Sequence, residues 1–214
     1  PEMRRFLTHN YLISLSNMAW TDLDVTLVGY FISKEAVGVY KVAKSFAVAM
    51  SQAMDAVFLV VYPELARLWT QREFARLKEI ILRLSGAMLA GAAVLYAAAF
   101  FAVPWLAPRL LRPEFGEAGT VFRCMGWGII LSAPFVWVYP YLMAAGRTDL
   151  NLWTAWSSTV IVVALYLAAI PAGGMIGAAL VNAGSVSVFT VIGLALARRN
   201  GLLFPASDGR IPRA

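Results

Sequence analysis

The sequence predicts an all-α, polytopic membrane protein of six transmembrane helices with one amphipathic surface helix. Three observations carry that expectation. The chain is 60% hydrophobic and only 14% charged, with a mean hydropathy of +0.70, far from the balance of a water-soluble domain. Its apolar runs recur at the ~20 residues needed to cross a hydrocarbon core of ~30 Å. They are continuous rather than alternating over ~10 residues, which argues against a β-barrel.

Taken in order, residues 1–9 form a lead-in carrying Arg4 and Arg5. The first helix is expected over about 10–33 and the second over 36–62, joined by a short turn through Ser33-Lys34-Glu35 and ended by Pro63. From 64 to 83 the pattern becomes amphipathic, with Leu65, Leu68, Trp69, Leu77, Ile80, Ile81 and Leu84 against Arg67, Arg72, Arg76, Lys78 and Arg83. This reads as a surface helix at the lipid headgroups. A third span is expected over 84–106, followed by a proline-marked loop through Pro104, Pro108 and Pro113. The fourth covers 118–145, kinked at Pro134 and Pro140, since membrane helices tolerate proline where neighbours satisfy the freed carbonyls. Gly146–Asp149 is a tight turn, the fifth span is 150–170, Pro171–Gly174 turn again, the sixth is 175–197, and 200–214 is expected to be a disordered tail.

Six spans put both ends on one side. That side holds Arg4, Arg5, Arg67, Arg72, Arg76, Lys78, Arg83, Arg147, Arg198 and Arg199, and the other only Lys34, Arg109 and Arg112. The imbalance predicts cytoplasmic termini.

Within the apolar spans lie Asp22, Asp24, Lys41, Lys44 and Asp55. Each charge at mid-membrane costs roughly 2.5–3.5 kcal/mol on insertion scales, so they must face protein, water or one another. On the first helix Asn10, Ser14, Asn17, Thr21 and Asp24 recur at steps of four and three as one polar stripe. Lys41, Lys44, Ser45, Ser51, Gln52 and Asp55 form a broad polar face on the second. At ~1.5 Å per residue, Asp24 lies ~14 Å and Lys44 ~11 Å from the intervening turn, level enough to pair. Such a pair can also serve architecture alone. Lys41 lies ~6 Å in and Arg123, on the fourth helix, ~7 Å in from the same side, so these two are expected as a cationic ring above the pair. Cations facing a cavity suit a phosphate or pyrophosphate. Asp55 sits deeper.

Thr120, Arg123, Trp127, Ile130, Pro134, Trp137 and Tyr141 share one helical face. Their rings suit stacking on sugars, or packing at the membrane boundary.

Other functions lack their residues. A net charge of +6 is explained by the membrane-flanking loops, and no basic patch interleaved with aromatics points to nucleic acid. With one cysteine (Cys124) and one histidine (His9), neither a disulfide nor a Cys/His metal cluster is expected. Asp22-x-Asp24 lies on different helical faces inside an apolar segment, which disfavours a metal–diphosphate site. No nucleophile–base set or phosphate-cradling glycine loop is present, so neither enzyme chemistry nor a cofactor is expected.

Asp24-x-x-x-x-Gly29-Tyr30-Phe31-x-Ser33, followed by Val37-Gly38-Val39-Tyr40-x-x-Ala43, resembles the seventh-to-eighth helix region of Wzx-type polysaccharide flippases, in the multidrug/oligosaccharidyl-lipid/polysaccharide superfamily. Tyr62-Pro63-Glu64-Leu65-Ala66, Leu142-Met143-Ala144-Ala145-Gly146-Arg147 and Gly174-Met175-Ile176-Gly177-Ala178-Ala179 extend the resemblance over about 10–199. It implies one lobe, the carboxy-terminal one, of a two-lobe flippase fold, with the partner lobe supplied by a missing amino-terminal half or a second chain. The start at Pro1 favours a fragment. It further implies alternating access in the bacterial cytoplasmic membrane, among membrane lipids, for an undecaprenyl-diphosphate-linked oligosaccharide. Lys41, Lys44 and Arg123 would receive the diphosphate, while Asn17, Gln52, Trp127 and Trp137 would shelter the glycan. Asp24 and Asp55 would bind a coupling H⁺ or Na⁺. The alternatives are a drug or metabolite antiporter of the same superfamily, and a non-transport membrane component of polysaccharide synthesis.

Overall fold

The computed structural model describes residues 11, 22–110 and 113–203, with side chains throughout except at 53–56, 58 and 59. Among these residues every regular element is a helix. In order they are α1 (22–31), α2 (Lys34–Thr70), α3 (Phe74–Leu110), α4 (Ala118–Ser132), α5 (Val138–Ala144) and α6 (Thr148–Arg199), with 3₁₀ turns at Pro113–Glu117 and Ala133–Phe135. Among the described residues three stretches are long and apolar enough to cross a membrane: Phe74–Leu110, Pro113–Ala144 and Thr148–Arg199. Their outer faces leave Val94, Phe101, Trp105, Trp153 and Val160 exposed, which suits hydrocarbon as the solvent.

Ser33 starts α2. Its backbone is extended and its hydroxyl accepts from the Ala36 amide at 3.1 Å, capping the first turn. The exposed Glu35 carboxyl is held below the usual range by its own backbone amide and by the Ser33 hydroxyl.

The expected surface helix over 64–83 is not present as one element. α2 passes through Pro63 and runs to Thr70, the chain reverses across residues 71–73, and α3 begins at Phe74. Losing one helical bond at Pro63 is offset because the following turn buries Leu65 and Leu68 completely, against Leu77 and Ile81 of α3. Two 37-residue helices of ~55 Å each exceed the hydrocarbon thickness. The amphipathic stretch is therefore the projecting corner of a helical hairpin.

That corner ends in a Schellman motif: the Arg72 amide donates to the Trp69 carbonyl and the Glu73 amide to Leu68. Arg72 takes the left-handed position at φ 58°. Gly146 and Gly201 close α5 and α6 in the same way, at φ 73° and 63°.

The fourth predicted span is divided. Around Pro134 the helix tightens to 3₁₀ over Ala133–Phe135, and α5 restarts at Val138, with Pro140 harmless in its first turn. The fifth and sixth spans are joined more tightly than expected. No loop separates the two helices, and between them only Gly174, at φ 58° and ψ −142°, leaves the helical conformation. A straight helix of 52 residues would measure ~78 Å. Instead the arms 148–173 and 175–199 fold back on one another: Gly177 lies against the Ala169 carbonyl, too close for any side chain, and Gly193 faces Thr154.

Two cores result. One packs small residues and rings (Tyr40, Ala43, Phe122, Met125, Tyr166, Ala178, Ala179). The other locks large side chains (Leu65, Leu68, Leu77, Tyr141, Leu142, Leu202) at the end that carries Arg67, Arg72, Arg76, Lys78, Arg147, Arg198 and Arg199. At this basic end Arg67 forks onto Glu64 at 2.6 and 2.9 Å, holding that carboxyl below its usual range. Arg147 does the same to Asp149 and reaches Asn200 at 3.3 Å.

Candidate functional site

The site is built around Asp24. Closing the α1–α2 hairpin at Ser33 brings the two helices level, and Lys44 Nζ meets Asp24 Oδ1 at 2.6 Å, the pairing expected from depth. Asp24 has no solvent exposure and the Lys44 side chain retains 14%. Three further groups complete the carboxylate's shell. The Val25 amide donates to Oδ1 at 2.8 Å, the Tyr40 hydroxyl to Oδ2 at 2.9 Å, and Asn182 Nδ2 to Oδ2 at 3.4 Å. Tyr166, on the first arm of α6, shares a cavity wall with Asn182 and packs in the same core as Tyr40. A buried charge needs several donors as well as a counter-ion, and here both are supplied by α1, α2 and the second arm of α6.

Tyr40, Tyr166 and Asn182 are not among the candidates read from sequence. The signal available is modest: Asn182 is a carboxamide inside a strongly apolar run, and a tyrosine hydroxyl buried at span depth requires a partner. Gly128 explains how Asn182 arrives. It sits against the Ala183 backbone with no room for a Cβ, so α4 and the second arm of α6 touch there.

Lys44 stands between two grooves. One, of about 270 Å³, is lined by Asp22, Val25, Lys41, Lys44, Ser45, Val48, Ala49 and Gln52. The other, of about 210 Å³, lies between α2, α4 and α6 and includes Lys44, Ser51, Ser132, Asn182 and Ser185 among apolar walls. Lys41, Lys44 and Gln52 are thus gathered on one face, with Asp22 as an acidic neighbour.

Arg123 is not brought to that face, and the expected ring with Lys41 does not form. Its Nε donates to the Phe100 carbonyl at 3.3 Å and its guanidinium lies over the Phe100 ring, 4.2 Å from the centroid. Phe100 is four residues before Pro104, whose missing N–H leaves that carbonyl without its helical donor. In return Tyr96 donates to the Arg123 carbonyl at 2.8 Å. Arg123 is thus committed to the α3–α4 seam.

The aromatic face of the fourth span is also broken, because the 3₁₀ turn rotates α5 relative to α4. Trp127 is 56% exposed beside Tyr96, whereas Trp137 is buried in the basic-end core and donates to Pro134. Asn17 and the side chain of Asp55 lie outside the described residues.

Residues 1–104, just under half of the chain, match a family described as polysaccharide biosynthesis protein. The matched stretch contains Asp24, Tyr40, Lys41 and Lys44, and the match agrees with a role in polysaccharide synthesis. No curated protein and no solved structure matches the chain.

Proposed function

We propose that this chain is one six-span lobe of a membrane flippase that moves a lipid-diphosphate-linked oligosaccharide by alternating access, without chemically altering it. In this reading the spans fall on α1, α2, α3, α4 with α5, and the two arms of α6. A second lobe completes the cavity, and the basic end faces the cytoplasm. The observation that carries this reading is the placing of Lys41 and Lys44 along one groove, beside a buried carboxylate. Lys41, exposed on that groove, attracts the diphosphate. Lys44 is positioned by Asp24, and Gln52 and Asp22 offer hydrogen bonds to sugar hydroxyls. Charges this deep in an apolar span are expensive unless a polar cargo or water uses them. Asp24 and Asp55 are the carboxylates suited to a coupling ion.

The test is transport of lipid-linked oligosaccharide by Lys41 variants, with protein level in the membrane measured alongside. Lys41→Glu is expected to abolish transport and Lys41→Arg to retain it. Full transport by Lys41→Glu would remove the groove from the substrate's path.

A further inference from the structure

The first arm of α6 presents an unusual inward face for an apolar hairpin. Asn151, Thr154, Ser158 and Thr159 are all buried on it, and Tyr166 continues the same face two turns on. Three of the hydroxyls bond back to carbonyls of their own helix: Thr154 to Leu150, Ser158 to Thr154, and Thr159 to Ala155. Such hydroxyls keep their lone pairs for a second partner. Asn151 is different. It is 1% exposed, and among the described residues neither its Nδ2 nor its Oδ1 has a hydrogen-bond partner. A buried carboxamide in that state is strongly disfavoured unless water reaches it.

Further along, a cavity of about 30 Å³ is lined by Leu23, Thr159, Val162, Val163, Tyr166, Asn182 and Ser185. It is large enough for about one or two waters and offers them at least three polar side chains. Of the groups at its wall, Asn182 bonds Asp24 directly, and Tyr166 stands on the same wall as Asn182. At the other end, Asn151 lies one turn inside the partly exposed Arg147–Asp149 pair at the basic end. From Asn151 to Tyr166 the rise is ~22 Å, with a polar group or the cavity at every turn.

We infer that this face is a hydrated file connecting the Asp24 cluster to the aqueous phase at the basic end. Water enters past Arg147, is held by Asn151, passes the Thr154, Ser158 and Thr159 hydroxyls, and reaches the cavity beside Asn182. The file rests on the reading of Asp24 as a coupling carboxylate and deepens it, since it gives that buried group a route to the solution at the basic end. Its geometry is independent of the groove at Lys41.

The experiment uses the full chain in sealed membrane vesicles, with Cys124 replaced by alanine and one cysteine introduced at a time. Silver ion, comparable in size to water, is added to either side, and surviving thiols are counted after unfolding. Thiols react as thiolates, which form only in water, so Thr159→Cys and Ser158→Cys should react from the basic-end side at least about 10-fold faster than Val160→Cys. Val160 is the adjacent residue at the same depth, 66% exposed on the outer face. Adding Asn151→Leu should slow the reaction of Thr159→Cys. Rates no faster than at Val160, entry from the opposite side only, or indifference to Asn151→Leu would overturn the file. Ser158→Cys, nearly isosteric, keeps the test decisive if the threonine variant fails to fold. The thiol rates do not depend on transport, so the file and the coupling role of Asp24 can fail separately.

Discussion

Arg123 donates to the Phe100 carbonyl at 3.3 Å, the carbonyl that Pro104 leaves without a donor in its own helix. A cation within an apolar stretch thus donates to the carbonyl that a proline frees in the neighbouring helix. Arg123→Ala should cost about 1–3 kcal/mol, the usual penalty for a buried acceptor left unsatisfied. Pro104→Ala restores the helical N–H, so in that background Arg123→Ala should cost clearly less. Thermal unfolding of the two single variants and the double variant in detergent measures the coupling, and strict additivity would show that the proline and the arginine are unrelated.

Lys44 and Asp24 make a second cycle. Lys44→Met strands a buried carboxylate and should destabilise by about 3–5 kcal/mol, whereas Asp24→Asn combined with Lys44→Met should recover most of the loss. The same unfolding assay reads both. A double variant as weak as the single would mean that Tyr40 and Asn182, not charge balance, hold the cluster together.

Gly128 and Gly184 form a matched pair for steric tests. A Cβ at Gly128 meets the Ala183 backbone, whereas one at Gly184 meets nothing within 4 Å. Gly128→Ala should cost about 1–3 kcal/mol through separation of α4 from the second arm of α6. Gly184→Ala should be neutral or slightly stabilising, since alanine is the better helix former.

Arg72 occupies the left-handed position of a Schellman motif where Gly146 and Gly201 serve elsewhere. Arg72→Gly should therefore raise stability by about 1 kcal/mol, read as an upward shift in melting temperature. A fall would assign the Arg72 side chain a stabilising contact worth more than its backbone strain.

How far the sequence can be read varies with the physics involved. The depth of Asp24 and Lys44 comes from counting residues on either side of one capped turn, because helical rise is nearly constant. The reversal at Pro171–Gly174 is likewise visible, though not that a single residue makes it. The hairpin corner is misplaced by a proline rule applied without knowing that Leu65 and Leu68 are buried against α3. The shared face of Trp127 and Trp137 assumes an unbroken helix across Pro134, and the irregular backbone from Ala133 to Trp137 voids it. Arg123 can be placed in depth but not in direction, since the acceptor that claims it belongs to another helix. Asn182 requires knowing which arm of α6 approaches α1, a matter of long-range packing that Gly128 and Gly177 settle.

The one-residue reversal at Gly174 has a mechanical consequence. A longer loop would let two helices slip past each other along their axes by drawing on slack, but a lone glycine has none to give. The two arms of α6 are therefore held in axial register, which keeps Tyr166 and Asn182, each eight residues from Gly174, level with one another.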